Sequence, residues 1–287
     1  MLKTKEYLKL IRVKHYLKNL LIFLPLLFSS NLFDFKKFIT ILFGFFAFSF
    51  TCSIVYVLND LMDLEKDKIH SKKKNRPLAS GKITKFEAII TIFILVFLIM
   101  LISFFNEFNL ISISILLLYL FMNILYSIKL KDIPIIDVFI LTIGFILRVI
   151  FGGKLIDVQI SNWLYLTIMY ISFYLALGKR RNEIEKYSKT RKVLKYYNKS
   201  FLDKNMYMFL SIGIVFYSLW TIDVNTAIDS NYLIYTVPLV MLILMRYSMI
   251  IESDSDGDPI EVVFSDKMLL LGILFYGVSM LFIMYLI

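Results

Sequence analysis

The chain has 287 residues, of which 59% are apolar, 16% aromatic and 19% charged, and its net charge is +10. Soluble domains are about 45–50% apolar and about 25% charged, so this composition argues against a water-soluble protein. A single cysteine excludes an internal disulfide, and two histidines are too few for a multi-histidine metal site. Any divalent metal would therefore need oxygen ligands.

Nine apolar stretches are long enough, or nearly so, to cross a hydrocarbon core at about 20 residues each. In chain order they are 17–33, 38–61, 86–105, 110–128, 133–156, 163–177, 206–224, 232–250 and 268–287. The sequence therefore predicts an all-α integral membrane protein, with residues 1–287 forming a single polytopic membrane domain.

Lysine and arginine are distributed unevenly between the predicted loops. Most lie in the N-terminal arm and in alternate loops, whereas the opposite loops carry only Lys36, Lys37 and Lys154. The positive-inside rule then places the N-terminus and the large loops in the cytoplasm, and nine crossings place the C-terminus outside. We expect a plasma (inner) membrane protein and no nucleic-acid partner, because the charge is spread over several membrane-edge loops. For most of these lysines, a purely topogenic role is the alternative.

Four oxygen-bearing side chains end the second stretch: Asn59, Asp60, Asp63 and Asp67. On a helix this spacing puts all four on one face. Stacked like charges repel, so the helix gains no stability from them. Such oxygen ligands suit Mg²⁺, which takes one or two carboxylates and completes its shell with phosphate and water. A solvated polar helix end is the alternative interpretation.

A basic loop follows the acidic residues and contains Lys72, Lys73 and Arg76. A metal–diphosphate complex requires this combination, because metals bridge phosphate oxygens while Lys and Arg bind the remaining ones. Thr84 and Glu87 predict a capping box that begins the third span.

The pattern Asn59-Asp60-x-x-Asp63-x-x-x-Asp67, followed by RPLASG at 76–81, resembles the first signature of the UbiA superfamily of intramembrane prenyltransferases. The resemblance covers nearly the whole chain, because the span count agrees with it. It implies nine transmembrane helices around a central cavity that is open to lipid, with Mg²⁺–diphosphate at its cytoplasmic mouth. It also implies that Asp60, Asp63 and Asp67 are catalytic and bind the metal together with Asn59.

The second family motif is different in this chain. Typical members carry aspartates after the sixth helix, whereas here Lys179, Arg180 and Arg181 occupy that position. Three cations should stabilise additional anionic charge. In this respect the chain is similar to the polyprenyl-phosphate (decaprenyl-phosphate) phosphoribosyltransferase branch, whose donor is phosphoribosyl pyrophosphate and whose acceptor is a lipid-linked phosphate.

The resemblance and the basic loop together assign substrate-binding roles to a larger set of polar side chains. They are Lys18, Asn19, Lys73, Arg76, Tyr126, Lys129, Lys131, Asp137, Arg148, Lys179, Arg180 and Arg181. Lysines near span ends also snorkel without any function, which is the alternative for Lys18, Lys129 and Lys131. Arg148 lies deep in an apolar stretch, where a charge usually faces a cavity or a partner. Asp137 either pairs with a loop lysine or supports the metal site.

The resulting hypothesis is a Mg²⁺-dependent membrane transferase of cell envelope biosynthesis that moves 5-phosphoribose from phosphoribosyl pyrophosphate to a polyprenyl phosphate. One alternative is a UbiA-type prenyltransferase acting on an aromatic or other small acceptor, which should need the second acidic motif. Another is a non-enzymatic transporter, which predicts polar residues distributed through several spans. The sequence determines neither the chain length of the acceptor nor the oligomeric state.

Overall fold

The structure is a computed structural model. It describes residues 2–69, 73–187, 192–223, 232–253, 255 and 257–286. Lys72 of the basic loop lies outside the described residues. The described residues form helices and connecting turns without a strand, which confirms the predicted all-α class.

Twelve α-helices follow one another along the described chain. They are α1 (Leu2–Leu10), α2 (Leu24–Phe28), α3 (Phe35–Met62), α4 (Leu64–Ile69), α5 (Lys85–Phe105), α6 (Leu110–Ile128), α7 (Ile136–Leu155), α8 (Asn162–Tyr187), α9 (Lys199–Thr221), α10 (Val237–Glu252), α11 (Pro259–Ser265) and α12 (Lys267–Tyr285). Short 3₁₀ segments join several of them, and the longest is Val13–Phe23.

Among the described residues, six helical segments are long and apolar enough to cross a membrane. They are α3, α5, α6, α7, Leu233–Glu252 and α12. These six segments overlap the predicted stretches that begin at residues 38, 86, 110, 133, 232 and 268. The predicted count of nine crossings is not confirmed.

The other three predicted stretches differ from the six in local structure. The stretch 17–33 is divided between the 3₁₀ segment Val13–Phe23 and the short helix α2. Pro25 lies in the first turn of α2, where its missing N–H costs least but where it cannot continue a preceding helix. The stretches 163–177 and 206–224 lie largely in α8 and α9, which also contain polar segments.

Two compact units make up the chain, and each is described separately. Unit 1 comprises Met1–Leu24, Phe35–Ile128 and Leu147–Asp157, and unit 2 comprises Pro25–Asp34, Lys129–Ile146 and Val158–Ile287. The boundary between the units falls within α7.

In unit 1, α3 packs against α5, α6 and the 3₁₀ segment Val13–Phe23. A separate buried cluster joins Leu10 of α1 and Leu64 of α4 to Leu78 and Ile83 of the basic loop. The predicted capping box that begins α5 is confirmed, because the Thr84 hydroxyl accepts from the Glu87 N–H (3.2 Å) and the Glu87 carboxylate accepts from the Thr84 N–H (2.9 Å). The loop before α5 is thus anchored both by packing and by a helix cap.

In unit 2, α8 packs most extensively against α9. Gly213 permits this close approach, since a Cβ built there would lie only 2.9 Å from Cδ1 of Ile171. Tyr174 and Leu177 of α8 lie in one buried apolar cluster with Leu202 of α9. The second half of α8, which carries the predicted basic motif, is therefore packed into the interior of this unit.

Candidate functional site

The acidic residues lie where α3 ends and α4 begins. Although the α-helix is interrupted at Asp63, Asp63 N–H donates to the Asn59 carbonyl (2.9 Å) and Asp67 N–H donates to the Asp63 carbonyl (2.8 Å). Helical spacing therefore continues across the junction. Asp60 and Asp67, seven residues apart, face the same side after two turns, and each is only 2% exposed.

Arg76 connects these two carboxylates. Its Nη1 donates to Oδ1 of Asp60 at 3.0 Å and to Oδ2 of Asp67 at 2.6 Å. Lys73 extends the positive side of the cluster, with its Nζ 4.0 Å from Oδ1 of Asp67. Asp63 differs from both, because its carboxylate lies 3.5 Å from the exposed ammonium of Lys66. The structure thus brings together Asp60, Asp67, Lys73 and Arg76 at one place.

Arg12 is a further member of this cluster. Its Nη2 donates to Oδ1 of Asp60 at 2.6 Å, and its guanidinium carbon lies 4.5 Å from the centre of the Tyr56 ring. The backbone at Arg12 has φ 52°, the left-handed conformation, which separates α1 from the following 3₁₀ segment. From the sequence, Arg12 is expected to be only a member of the basic N-terminal arm. Nothing in the local pattern signals a partner 48 residues away.

The loop after Arg76 is compact and explains how this side chain is held. Ser80 N–H donates to the Arg76 carbonyl (2.9 Å), and Ile83 N–H donates to the Pro77 carbonyl (3.1 Å). Gly81 has φ 72°, a conformation that residues with a Cβ rarely adopt. With Leu78 buried beneath the loop, Arg76 is fixed at its base and directed toward the acidic pair.

A second polar group in unit 1 surrounds Arg148, inside α7. Its Nε donates to Oδ1 of Asn19 at 2.7 Å, and its Nη2 donates to the Tyr119 hydroxyl at 3.1 Å. Asn19 in turn donates from Nδ2 to the Ser49 hydroxyl at 2.9 Å, and the Cys52 sulfur lies 3.6 Å from Arg148 Nη2. This network binds the 3₁₀ segment Val13–Phe23 to three long helices, as expected for an intramembrane cation that needs interior polar partners.

In unit 2 the predicted basic motif lies on α8 and its central cation is enclosed. Arg180 Nε donates to Oδ2 of Asp137 at 2.5 Å, and its Nη1 donates to Oε2 of Glu183 at 2.6 Å. Tyr197 donates its hydroxyl proton to Oδ1 of Asp137 at 2.6 Å and accepts from Ile135 N–H. Burial, together with the hydrogen bond to Asp137, raises the pKa of Tyr197, so the hydroxyl retains the proton that it donates.

The neighbouring cations of the motif also have partners within unit 2. Arg181 Nε donates to Oδ1 of Asp203 at 2.6 Å, and its Nη1 donates to the carbonyl of Ile251 at 3.1 Å. Lys179 Nζ lies 3.2 Å from Oδ2 of Asp258. Gly257 has φ 71°, and a Cβ built there would come within 3.1 Å of the Lys179 backbone. Glycine therefore permits the loop that carries Asp258 to lie directly on α8.

Comparison with known proteins identifies the family of this chain. Residues 20–271 match the UbiA prenyltransferase family. The chain belongs to this family. Two relatives are named decaprenyl-phosphate phosphoribosyltransferase. The one from Corynebacterium glutamicum is 29% identical, covering 91% of this chain and 81% of the relative. The one from Mycolicibacterium smegmatis is 28% identical, covering 91% of this chain and 87% of the relative.

Solved structures show the same UbiA fold. A UbiA homologue from Archaeoglobus fulgidus, solved with GPP and Mg²⁺ bound, superposes with a TM-score of 0.71. The match covers 96% of this chain and 99% of that one at 18% identity. The family assignment and the six apolar helices together indicate a membrane protein and a transferase.

The carboxylate oxygens at the α3–α4 junction are ligands of the chemical type that Mg²⁺ prefers. Asp60 and Asp67 offer carboxylate oxygens that converge on one atom, Arg76 Nη1, so the two can share a cation. Among the described residues there is no group of three or more His, Cys, Asp or Glu placed to hold a metal. Because Mg²⁺ commonly takes one or two protein carboxylates, this pair is sufficient, but Arg76 and the metal would compete for it.

The remaining predicted substrate-binding residues of this UbiA chain lie within 3₁₀ segments or at the end of α6. Lys18 is half-buried beside Asn19 in the 3₁₀ segment, and Tyr126 is half-buried near the end of α6. Lys129 is exposed directly after α6, whereas Lys131 is half-buried in the short 3₁₀ segment that follows. Their substrate-binding roles stay predictions.

Proposed function

We propose that this protein transfers the 5-phosphoribosyl group of phosphoribosyl pyrophosphate to a polyprenyl phosphate and releases pyrophosphate. The observation that carries this proposal is the similarity to decaprenyl-phosphate phosphoribosyltransferases along 91% of the chain. A second observation supports it. Lys179, Arg180 and Arg181 stand at the position of the second acidic motif that the alternative, a prenyltransferase, should need.

The donor binds, in this proposal, at the α3–α4 junction of unit 1. Asp60 and Asp67 would hold Mg²⁺, with Asp63 and Asn59 as the further ligands that the motif implies. When bound, the metal neutralises charge on the leaving pyrophosphate. Arg76, Arg12 and Lys73 bind phosphate oxygens, since arginine and lysine donate charge-assisted hydrogen bonds to them.

The arginine side chains of this cluster are suited to exchanging partners. Arg12 and Arg76 are 21% and 25% exposed, so water reaches both guanidinium groups. On donor binding, Asp60 and Asp67 would hold the metal in place of Arg76, and Arg76 would donate to pyrophosphate oxygens in place of the two carboxylates. Each charged group would therefore keep a partner of opposite sign during binding.

The acceptor requires little activation. A phosphate monoester carries about 1.5 to 2 negative charges at pH 7, so its oxygen is already a nucleophile and no general base is needed. This oxygen forms the new bond to C1 of the ribose as the C1–pyrophosphate bond breaks, and the bonding electron pair leaves with pyrophosphate. We propose Lys18, Asn19, Tyr126 and Arg148 as acceptor-side residues in unit 1. In unit 2 we propose Lys129, Lys131 and Lys179 for the acceptor side. The predicted substrate-binding residues Asp137, Arg180 and Arg181 are buried and ion-paired, so we propose that they support this side by holding α8 in place.

We further propose that the chain is one polytopic domain of the plasma membrane with its site facing the cytoplasm. Residues 13–28, α8 and α9 would supply the three crossings beyond the six apolar helices. At about 1.5 Å per residue, α8 (26 residues) and α9 (23 residues) are long enough to span the bilayer.

The proposal is tested by measuring pyrophosphate release from purified protein. We expect release only when phosphoribosyl pyrophosphate, a polyprenyl phosphate and Mg²⁺ are all present, and none after chelation with EDTA. The second candidate function, a prenyltransferase, predicts release of pyrophosphate from prenyl diphosphate in the presence of a small aromatic acceptor. The fold shared with the GPP-bound homologue is the reason to test this reaction as well. Release from prenyl diphosphate but not from phosphoribosyl pyrophosphate would overturn the proposal.

A further inference from the structure

A cavity of about 640 Å³ lies among α3, α5 and α6, within unit 1. Its walls are mainly apolar and include Ile54, Met100, Phe104, Leu116 and Leu120. Ligand-binding cavities measure about 300–1,000 Å³, so this one is large enough for an extended hydrocarbon chain.

The end of the cavity at Glu107 is remote from the acidic cluster, whereas its wall on α3 reaches Ile54, six residues before Asp60. The cavity is lined by residues 96–104 of α5, whereas the basic loop precedes the opposite end of this helix, at Lys85. Twenty-one residues of helix separate the two ends by about 30 Å. The most apolar stretch of α5 is only 11% buried, so this helix faces lipid along most of its length. The occupant of the cavity therefore enters from the bilayer.

Glu107 places one carboxylate on the cavity wall, just beyond the end of α5. Its backbone has φ 50°, the left-handed conformation, which a glutamate rarely adopts. The side chain is exposed, and among the described residues it has no hydrogen-bonding or ion-pair partner. A carboxylate beside an apolar cavity at a span end attracts a cationic group and repels an anionic one.

We propose that this cavity binds one phospholipid with an ammonium headgroup, such as phosphatidylethanolamine. One acyl chain fills the space between α3, α5 and α6, and the ammonium group pairs with Glu107. The charge of Glu107 excludes anionic lipids, including a polyprenyl phosphate, from this position. The site is therefore a structural lipid site on the opposite end of α5 from the proposed chemistry.

The test measures which lipid the protein retains. The protein is reconstituted in nanodiscs with equal amounts of phosphatidylethanolamine and phosphatidylglycerol and then released, and the bound lipids are identified by native mass spectrometry. Wild-type protein should retain one phosphatidylethanolamine with about threefold preference over phosphatidylglycerol, the size expected for one solvent-exposed ion pair. Glu107→Gln should lose this preference. Because Glu107 is exposed, this variant should unfold at the same temperature as wild type.

Asp157→Asn is the matched control. Asp157 is also an exposed carboxylate with a left-handed backbone (φ 53°) in unit 1, but it does not line the cavity. This variant should retain phosphatidylethanolamine as wild type does. Ser103→Phe, which fills the cavity, should lose both lipids. Equal retention of the two lipids by wild type, or an undiminished preference in Glu107→Gln, would overturn the proposal.

Discussion

The two clusters of cations and carboxylates in this protein use the same residue types in different environments. At the α3–α4 junction, Arg12 and Arg76 hold Asp60 and Asp67 while remaining 21% and 25% exposed. On α8, Arg180 is 1% exposed and is enclosed by Asp137, Glu183 and the Tyr197 hydroxyl. Exposure, rather than residue type, therefore separates a cluster that can exchange ions from one that is closed.

This difference has an energetic basis. Removing one partner of an enclosed ion pair leaves a buried charge without compensation, which is strongly destabilising. A partly exposed arginine can be solvated after it leaves its carboxylate, so a substrate can take its place at lower cost. We therefore expect variants of the first cluster to lose activity and variants of the second cluster to lose stability.

The largest effect should come from Asp60→Asn and Asp67→Asn. Each variant weakens metal binding at the junction, and metal stabilisation of a leaving group is worth several kcal/mol, so pyrophosphate release should fall about a thousandfold. Glu65→Gln is the control, because this exposed carboxylate pairs only locally with Lys68 on α4. Full activity of either aspartate variant would contradict the assignment, provided that its unfolding temperature matches that of wild type.

Arg180→Ala should affect stability most. It leaves the fully buried Asp137 carboxylate without its arginine partner, at a cost of about 3–5 kcal/mol. Chemical unfolding in detergent micelles measures this loss, and Asp137→Asn should give a loss of similar direction. If Arg180→Ala unfolds as wild type does but no longer binds polyprenyl phosphate, Arg180 contacts substrate and the cluster is not structural.

Arg76→Ala should raise the KM for phosphoribosyl pyrophosphate about ten- to hundredfold, since charge-assisted hydrogen bonds contribute about 1.5–3 kcal/mol. It should also strengthen Mg²⁺ binding in the absence of substrate, because Arg76 competes for Asp60 and Asp67. Steady-state kinetics measures the KM for the donor, and calorimetry measures the affinity for Mg²⁺. Arg76→Lys should restore part of the donor affinity. A weaker affinity for Mg²⁺ alone would contradict the exchange of partners.

The smallest effect is expected for Lys179→Ala, one residue from Arg180. Lys179 is 30% exposed and pairs with Asp258 at the surface of α8, so its removal should cost less than about 1 kcal/mol of stability. The comparison with Arg180→Ala keeps the helix and the loss of one positive charge constant, whereas burial and the number of carboxylate partners differ. Equal losses of stability in Lys179→Ala and Arg180→Ala would contradict the role assigned to burial.

The sequence predicted much of this fold, because continuous apolar runs determine membrane helices almost by themselves. The six apolar helices and the Thr84–Glu87 cap follow directly from local pattern. The stretch 17–33 was harder to predict. Its composition suits a span, but Pro25 and the 3₁₀ geometry of Val13–Phe23 divide it. Local pattern alone does not distinguish a continuous helix from such a broken one.

The sequence indicated which residue types form the candidate site better than it indicated which of these residues form ion pairs with each other. Periodicity predicted Asn59, Asp60, Asp63 and Asp67 on one face. Asp60 and Asp67 do share Arg76, whereas the Asp63 carboxylate lies against Lys66 instead. The pairing of Asp60 with Arg12 joins residues 48 positions apart, and that of Arg180 with Asp137 joins residues 43 positions apart. Such contacts depend on tertiary packing, to which a single sequence gives no direct guide.

Competition between the two candidate donors tests the central claim most directly. Purified protein receives Mg²⁺, a polyprenyl phosphate, a small aromatic acceptor, and phosphoribosyl pyrophosphate and a prenyl diphosphate with different radiolabels. We predict that the ribose label enters the lipid fraction with one pyrophosphate released per label transferred, and that the aromatic acceptor stays unmodified. Transfer of the prenyl label to the aromatic acceptor, with no ribose label in the lipid fraction, would contradict the account.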